Sequence, residues 1–342
     1  MVGVGLVGVG FMGGMHFRQY EQLTDRAKLV AICDTEPDRC AGDWSKVGGN
    51  IGDPQANKRD LKGVAQYDDY KKLIADPNVQ LVDICVPTYL HSEIASAALK
   101  AGKHVLSEKP MALTVEECDG MLALAAESTG QFMIGQCVRF WPECAWLKEV
   151  IDDKRYGALK ALHLRRQAST PDYSLNDWLL DPTLSGGAIL DLHVHDTDYA
   201  LFLLGKPKAV TAQAYQRVPG SYDRVHAIWH YGPELIVQLE GAWDLPSGFG
   251  FNMGFTAVFE NATAIMDINT GKPLTLFKKD GSTETPQVGG NDGYYNEIVY
   301  FLDCVEKGQA PQVSTPAESR EAVALALAEK ESAKKGQTVS IA

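Results

Sequence analysis

The chain has 342 residues, of which 45% are hydrophobic and 22% charged, and its formal net charge is −12 at pH 7. This balance is typical of a globular protein with two domains of ordinary size, and it excludes a disordered or fibrous chain. Lysines and arginines are scattered among acids and form no basic stripe, so we expect no nucleic-acid partner and no binding to an anionic membrane surface.

Seven cysteines occur, and none of them forms a C-x-x-C pair. An odd number without such spacing argues against a disulfide framework and against a thiolate zinc site. No run of 18 apolar residues is present, so no membrane span is expected. The N-terminus leads directly into an apolar run without a basic region or a cleavage site, and we therefore expect a cytoplasmic protein.

The first third of the chain alternates short apolar runs with helical patterns. The runs lack polar alternation, which is typical of strands that helices bury on both faces, and the alternation predicts a parallel, doubly wound sheet. Thr114 and Glu117 have the spacing of a capping box at the start of a helix. The predicted strands are Val2–Val7, 28–33, 81–86, 104–106 and 131–135, and the predicted helices are 14–23, 70–75, 92–101 and 114–128.

Residues 43–63 are rich in Gly, Asn, Asp and Pro and predict a long irregular connection. It either covers a ligand, acts as a flap or is only a surface excursion. After about residue 125 several runs alternate apolar and polar residues, which predicts a mainly antiparallel sheet with one face solvated or used for association. The predicted strands are 159–168, 210–216, 224–231, 234–242, 254–260 and 264–269, flanked by helices at 145–152, 192–204, 295–306 and 316–334.

A glycine-rich turn follows the first strand. Gly8, Gly10 and Gly13 fit the pattern G-x-G-x-x-G, in which the glycines allow a tight turn, close approach of a pyrophosphate and close packing of the helix on the strand. The N-terminus of the following helix offers free N–H groups to phosphates. Gly3, Gly5 and Gly8 fit the same pattern, but no strand can precede Gly3. A glycine turn without a ligand is the alternative.

Asp34 ends the second strand, about 20 residues after Gly13, which is the usual distance to the acid that binds the adenosine ribose. Thr35, Glu36 and Pro37 follow it and offer no basic group for a 2′-phosphate, so NAD is favoured over NADP. We therefore predict an N-terminal Rossmann dinucleotide-binding domain of the α/β class over residues 1–125. An α+β domain with a large, mainly antiparallel open sheet is predicted over residues 126–342, for substrate binding and oligomerisation.

Glu108, Lys109 and Pro110 end another parallel strand. Ligands of open α/β sheets bind at the carboxyl ends of strands, so Glu108 and Lys109 are placed at the expected cleft. An ordinary exposed turn is the alternative for this triplet.

The segment from Asp191 to Asp198 holds the densest set of reactive groups. If Asp191 opens a helix, then Asp191, His195 and Asp198 share one face. An imidazole flanked by carboxylates suits general acid–base chemistry. In an extended segment, His193 and His195 could instead bind a metal with Asp191 or Asp196, but a helix would turn the two rings apart. Helix capping by Asp191 and ordinary polar surface is the third reading. No metal is predicted.

Together and in this order, the three segments resemble the glucose–fructose oxidoreductase / inositol dehydrogenase / rhizopine-catabolism (Gfo/Idh/MocA) oxidoreductase family. The family pattern is G-x-G-x-x-G, then E-K-P, then G-G-x-x-x-D-x-x-x-H-x-x-D, which here begins at Gly186 and runs through Asp191, His195 and Asp198. The similarity extends along nearly the whole chain and includes residues 136–140 and 294–297.

The resemblance implies an NAD-dependent oxidoreductase that moves a hydride to or from a secondary alcohol or ketone of a sugar or cyclitol. It implies that Lys109 contacts the nicotinamide ribose and the substrate hydroxyl, that His195 is the general base, and that Asp191 orients the substrate and Lys109. Asp198 would bind a substrate hydroxyl. Further expected cofactor contacts are Phe11, Met12, Val86, Pro87, Thr88, His91 and Glu108, and further residues expected to line the substrate cleft are Arg166, Trp178, Trp243 and Tyr294.

The resemblance also implies pairing of open sheets into a homodimer or homotetramer. Two alternatives are a non-catalytic dinucleotide-binding regulator and a metal-dependent hydrolase. The chain departs from the family pattern in two places. His193 stands where a small residue, often Gly, is usual, and the 43–63 connection is longer than usual.

Overall fold

The computed structural model describes residues 1–49, 58–217 and 220–342, and the chain divides into two compact units. The first unit consists of Met1–Cys137, Tyr173–Trp178 and Gly293–Arg320, and the second consists of Val138–Asp172, Leu179–Asp292 and Glu321–Ala342. The sequence-based boundary at residue 125 falls within a helix, and neither unit is one continuous segment. Within the described residues, no helix combines the length and the apolarity that a bilayer crossing requires.

The first unit contains a six-stranded parallel sheet with the strand order β3-β2-β1-β4-β5-β6. This arrangement confirms the predicted doubly wound α/β fold. The order reverses between β1 and β4, where open sheets of this kind bind their ligands. The strands are β1 Val2–Val7, β2 Ala27–Cys33, β3 Ala65–Tyr67, β4 Leu81–Ile84, β5 His104–Glu108 and β6 Phe132–Gly135, and the helices between them are α1 Phe11–Gln22, α2 Pro37–Cys40, α3 Tyr70–Ala75, α4 His91–Lys100 and α5 Val115–Glu127.

The second unit contains a nine-stranded sheet with the order β14-β13-β12-β11-β7-β10-β9-β8-β15. Only the pairing of β7 with β10 is parallel among its described ladders, which confirms a mainly antiparallel sheet. Its strands are β7 Leu159–Ser169, β8 Ala209–Tyr215, β9 Arg224–Gly232, β10 Leu235–Leu245, β11 Phe251–Phe259, β12 Ala262–Asp267, β13 Lys272–Lys278, β14 Thr283–Glu284 and β15 Val339–Ser340. The remaining helices of the chain are α6 Pro142–Asp152, α7 Pro182–Ser185, α8 Ala188–Asp191, α9 Val194–Leu204, α10 Gly293–Lys307 and α11 Pro316–Lys335.

Helix α10 completes the core of the first unit. Its residues Ile298, Phe301 and Leu302 are buried in one cluster with Tyr20 of α1 and Leu81 of β4. Burial of such side chains is the main favourable term in folding. The first unit therefore depends on residues that lie far along the chain from its sheet.

Most of the elements that the sequence did not predict are short, although the seven-residue strand β13 was not predicted either. The strand β3 has three residues and the helix α2 has four, which is too few to show a period. The capping box at Thr114 and Glu117 is confirmed, since each side chain accepts a hydrogen bond from the other residue's backbone N–H.

The predicted 43–63 connection lies partly outside the described residues, which omit 50–57. In its described part, Asp43 forms an isolated antiparallel bridge with Lys58. Trp44 is buried and packs edge-on against Phe17 of α1, with ring centroids 4.8 Å apart. This part of the connection is thus anchored on the helix that follows the glycine turn.

Candidate active site

The turn between β1 and α1 has the geometry that the glycine pattern predicts. Gly8 has a φ of +86°, and a Cβ there would lie 2.7 Å from the Cys85 carbonyl oxygen, while a Cβ at Gly13 would collide with the Gly8 carbonyl. Gly10 is the N-cap residue of α1. Among the described atoms, a Cβ at Gly10 would approach only Arg39 Nη1, at 3.6 Å. The described residues thus leave room beside Gly10 of the kind that close approach of a pyrophosphate to a helix N-terminus requires.

Gly3 and Gly5, which fit the same pattern, have a different role. Both lie inside β1, and a side chain at either position would collide with Asn78 or Leu73. They are packing glycines of the sheet, so Gly8, Gly10 and Gly13 form the turn.

Asp34 lies beside this turn. Its Oδ2 accepts a hydrogen bond from the Val9 N–H and its Oδ1 accepts one from the Glu36 N–H, both at 2.9 Å. These bonds fix the carboxylate, which has further lone pairs for ribose hydroxyls. Arg39 was not predicted from the sequence, because the short helix α2 brings its guanidinium to Gly10.

The end of β5 is held by two histidines. Glu108 is buried, its Oε1 lies 3.1 Å from His16 Nε2, and its Oε2 accepts the Lys109 backbone N–H at 3.0 Å. The ring of His91 lies 2.8 Å from the Pro110 carbonyl oxygen and 2.9 Å from that of Val86. Burial lowers the pKa of His91. Lys109 itself is half-buried.

His16 is the centre of a buried polar cluster that the sequence analysis did not identify. Its Nδ1 lies 2.9 Å from Asp83 Oδ2, which also accepts the Tyr20 hydroxyl at 2.8 Å, and its Nε2 lies 3.9 Å from Glu297 Oε1. Burial lowers the pKa of His16, but the charge of Asp83 and the hydrogen bond to Asp83 act in the opposite direction. The resulting pKa lies well above the usual value. The available signal was a histidine three residues after the glycine turn, within an apolar helix.

The histidine segment is two short helices rather than one. Asp191 ends α8, whose N-cap is Gly187, and α9 begins at Val194. The predicted helix over 192–204 is found as α9, which begins two residues later than predicted, whereas the opening or capping of this helix by Asp191 is wrong because Asp191 ends α8. The physical cause is a tight turn, in which the N–H of His193 bonds to the Ala188 carbonyl at 2.7 Å and closes α8.

Exposure divides the reactive side chains of this segment into two groups. Asp191 and His195 are partly exposed, whereas His193, Asp196 and Asp198 are buried. The accessible pair is thus the one to which the family resemblance assigns chemistry.

His193 has a structural contact for each side of its ring. Its Nε2 lies 2.8 Å from Glu329 Oε2 of α11, and Glu329 Oε1 accepts the Trp229 indole N–H at 2.5 Å. The ring packs on Gly241, where a Cβ would lie 2.6 Å from His193 Nδ1. Burial lowers the pKa of His193, but the charge of Glu329, the hydrogen bond to it and the charge of Asp196 together outweigh burial and raise the pKa above its usual value. Among the described residues, groups with metal-ligand spacing include neither His193 nor His195.

Three other predicted substrate residues are buried and bind protein partners. Arg166 Nε donates to Asp196 at 2.9 Å, and Trp243 Nε1 donates to Asp223 at 2.7 Å. Asp198 accepts bonds of 2.8 and 2.7 Å from Arg139. Substrate contact by Arg166, Asp198 and Trp243 stays a prediction.

The remaining predicted residues lie in the first unit. Tyr294, on α10, is buried with its ring centroid 6.5 Å from that of His16, and Trp178 is half-buried in the Tyr173–Trp178 segment. Phe11 and Met12 open α1 and are half-buried. Val86, Pro87 and Thr88 follow β4, with Thr88 buried.

Two family models match the chain. One, described as "Oxidoreductase family, NAD-binding Rossmann fold", matches residues 2–136, and the GFO/IDH/MocA C-terminal domain matches residues 144–265. These matches confirm the family resemblance and the predicted NAD-binding Rossmann fold.

Individual relatives agree with the family models. The chain is 28% identical over 325 residues to inositol 2-dehydrogenase of Rhizobium meliloti, covering 89% of this chain and 88% of the relative. It is 30% identical over 206 residues to myo-inositol 2-dehydrogenase of Thermotoga maritima, covering 59% and 55%. The fold is similar to a levoglucosan dehydrogenase in complex with NADH and levoglucosan, with a TM-score of 0.84, 22% identity and 99% of both chains covered.

Proposed function

The chain belongs to the Gfo/Idh/MocA oxidoreductase family, and on this basis we propose that it transfers a hydride between NAD and a secondary alcohol or ketone of a sugar or cyclitol. The observation that carries the proposal is the selective exposure of Asp191 and His195 in a segment whose other acids and imidazole are buried. A reacting side chain has to reach the substrate, and a buried side chain cannot do so.

The proposed chemistry follows from these side chains. When bound, NAD supplies the nicotinamide ring that accepts or donates the hydride. His195 takes the proton of the substrate hydroxyl during oxidation, since an imidazole titrates near neutral pH. Asp191 orients that hydroxyl, and the Lys109 ammonium stabilises the negative charge that develops on its oxygen.

We propose that the turn at Gly8, Gly10 and Gly13 holds the pyrophosphate and that Asp34 binds the adenosine ribose. A carboxylate at this place repels a 2′-phosphate, which favours NAD over NADP. Arg39 beside Gly10 adds a cation that attracts the phosphates. These two side chains have opposite effects on NADP, and the preference for NAD is set by their balance.

The names of the relatives support a ring polyol as the substrate class, since they include inositol and levoglucosan dehydrogenases. The specific sugar or cyclitol is not identified by these names. We propose that Lys109, Asp191 and His195 contact it, and the predicted substrate contacts of Arg166 and Asp198 are proposed in addition to their buried ion pairs with Asp196 and Arg139.

We also propose that the outer face of the nine-stranded sheet pairs with a second copy of the chain, giving a homodimer or homotetramer. Four large apolar side chains are exposed on this face, on four different strands. Exposed large apolar side chains on one face of an open sheet make that face a candidate association surface. The four residues are Ile228, Ile236, Ile265 and Phe277.

The function is tested by following absorbance at 340 nm while the protein is mixed with NAD and a panel of cyclitols and pyranoses. Turnover of at least one polyol is expected. Lys109→Met and His195→Asn should lower turnover by ~10²–10⁴-fold, the usual contribution of a positioned acid–base group, while NADH affinity stays nearly unchanged. Matched controls are Lys100→Met and His226→Asn, which change exposed residues. NADH binding without turnover of any polyol would favour a non-catalytic regulator, and full activity in either variant would refute the assigned roles.

A further inference from the structure

We propose that His16 is a positioning residue for Lys109, because it holds the Glu108 side chain where that carboxylate binds the Lys109 main chain. The inference rests on the function proposed above, in which Lys109 contacts the substrate. His16 is not among the side chains proposed to contact the substrate or NAD, and it acts on Lys109 through Glu108.

The His16 ring lies between one helix and two strands of the first unit. His16 lies on α1 and reaches Asp83 in β4 through Nδ1 and Glu108 at the end of β5 through Nε2, at 2.9 and 3.1 Å. The side chains of His16 and Asp83 are fully buried, and that of Glu108 is 6% exposed. One imidazole therefore connects the helix that follows the glycine turn to two neighbouring strands of the sheet.

The two carboxylates beside His16 require two N–H donors from its ring. A neutral imidazole has one N–H and can donate to only one of the two carboxylates, whereas an imidazolium donates to both. Buried carboxylates are stable only when they are paired and hydrogen-bonded. Tyr20 donates a further bond to Asp83, and Glu297 lies 3.9 Å from His16 Nε2. The charged ring is the arrangement that satisfies this cluster.

The Glu108 carboxylate links His16 to the main chain of Lys109. Glu108 uses both of its oxygens, Oε1 toward His16 and Oε2 as acceptor of the Lys109 N–H at 3.0 Å. The two contacts together fix the orientation of the carboxylate. Without His16, Glu108 loses its charge partner and turns away or takes up a proton, and the Lys109 main chain then loses a fixed acceptor. A displacement of about 1 Å at a reacting group can cost ~10²-fold in rate.

A metal ion is the competing explanation for the cluster. His16 forms two groups with metal-ligand spacing, one with Asp83 and Cys85 and one with Glu108 and Glu297. Both ring nitrogens already have a carboxylate oxygen at hydrogen-bond distance, which favours protons over a metal. Elemental analysis of the purified protein decides this point, and a stoichiometric transition metal lost on substitution of His16 would overturn the proposal.

Two matched variants separate the two nitrogens. His16→Gln places an amide donor near the Nε2 position, facing Glu108, and His16→Asn places one near the Nδ1 position, facing Asp83. Both remove the charge and keep a polar amide. We expect His16→Gln to keep kcat within about fivefold of wild type and His16→Asn to lower it ~10- to 100-fold, with the Kd for NADH changed by less than about threefold in both.

A structural readout is independent of activity. In protein labelled with 15N-lysine, the Lys109 amide should exchange slowly with solvent in wild type and in His16→Gln, and faster in His16→Asn. Equal exchange in all three, or equal losses of kcat in the two variants, would overturn the proposal. If no polyol is turned over by the wild type, the proposed function fails, and the Lys109 amide still decides whether His16 positions Glu108.

Glu108→Ala tests the same contact from the other side if a His16 variant does not fold. It removes both oxygens that bind His16 and the Lys109 N–H, so Lys109 exchange should rise and kcat should fall about tenfold. Tyr20→Phe is the stability control, because it removes a bond to Asp83 and leaves the Glu108 contacts in place. Unchanged Lys109 exchange in Glu108→Ala would refute the assigned contact.

Discussion

The buried pair of His193 and Glu329 gives a stability prediction that can be worked from the structure. His193→Ala removes the partner of Glu329, and both side chains are fully buried with 2.8 Å between Nε2 and Oε2. The Trp229 indole N–H remains as a donor to Glu329. The variant therefore leaves a buried carboxylate with one hydrogen bond and no counter-charge.

The expected loss of unfolding free energy at pH 7 is ~3–4 kcal/mol, the lower part of the range for removal of one partner of a buried ion pair. Protonation of the carboxylate sets an upper limit to this loss, because protonating a glutamate at pH 7 costs about 4 kcal/mol. The raised pKa of His193 means that the wild-type pair contributes fully below about pH 6.5 and loses that contribution as pH rises through the folded-state pKa. In the variant, the buried carboxyl without a counter-charge takes up a proton on folding, so the stability of the variant falls by about 1.4 kcal/mol per pH unit. The difference in unfolding free energy between wild type and variant should therefore grow by roughly 2 kcal/mol from pH 5 to 6.5. Above about pH 6.5 it should level off, because the wild type then loses stability at the same rate.

Urea unfolding followed by tryptophan fluorescence measures this difference, with Trp229 as a reporter beside the site. His226→Ala, an exposed histidine, is the matched control and should stay within about 0.5 kcal/mol of wild type. Adding Glu329→Gln to His193→Ala should restore about 2 kcal/mol, because the buried charge is gone and Trp229 keeps an acceptor. A His193→Ala protein as stable as wild type at pH 5 and pH 7 would refute the reasoning.

Three further predictions concern the cofactor, the second unit and association. Asp34→Ala should weaken NADH binding at least ~10-fold and reduce discrimination against NADPH, and Arg39→Ala should weaken the binding of NADPH more than that of NADH. Fluorescence titration measures both affinities. An unchanged cofactor preference in Asp34→Ala would contradict the ribose-binding role of Asp34. Arg139→Met should destabilise the protein by ~3–5 kcal/mol in urea because Asp198 loses its buried partner, and an unchanged midpoint contradicts this. Ile236→Lys should lower the mass found by sedimentation if the outer sheet face pairs subunits, and an unchanged mass excludes that face.

Much of the fold follows from the sequence because its long strands have a clear period. The buried runs of the first unit and the alternating strands β9 and β10 are found within a few residues of their predicted positions. The elements β3 and α2 are too short to show a period, and the β13–β14 and β15 strands were not predicted. The composition of the units also could not be predicted, since the packing of α10 on the first sheet is a contact between distant parts of the chain.

The candidate site is predictable where a motif carries it. The glycine turn has the predicted geometry, Asp34 lies beside it, and Asp191 and His195 are the accessible members of their segment. The break at His193 was not predictable, because its cause is the turn that closes α8. His16 was missed because its partners Asp83 and Glu108 come from separate strands.

The late position of α10 has a consequence for synthesis on the ribosome. A ribosome that adds about 5–20 residues per second needs roughly 10–30 s to go from the last strand of the first sheet to this helix. During that interval the nascent sheet lacks Ile298, Phe301 and Leu302, and the surface around Tyr20 and Leu81 that they cover is incomplete. Chaperone capture of nascent chains should therefore be strongest between these two points and should end once the helix has left the exit tunnel.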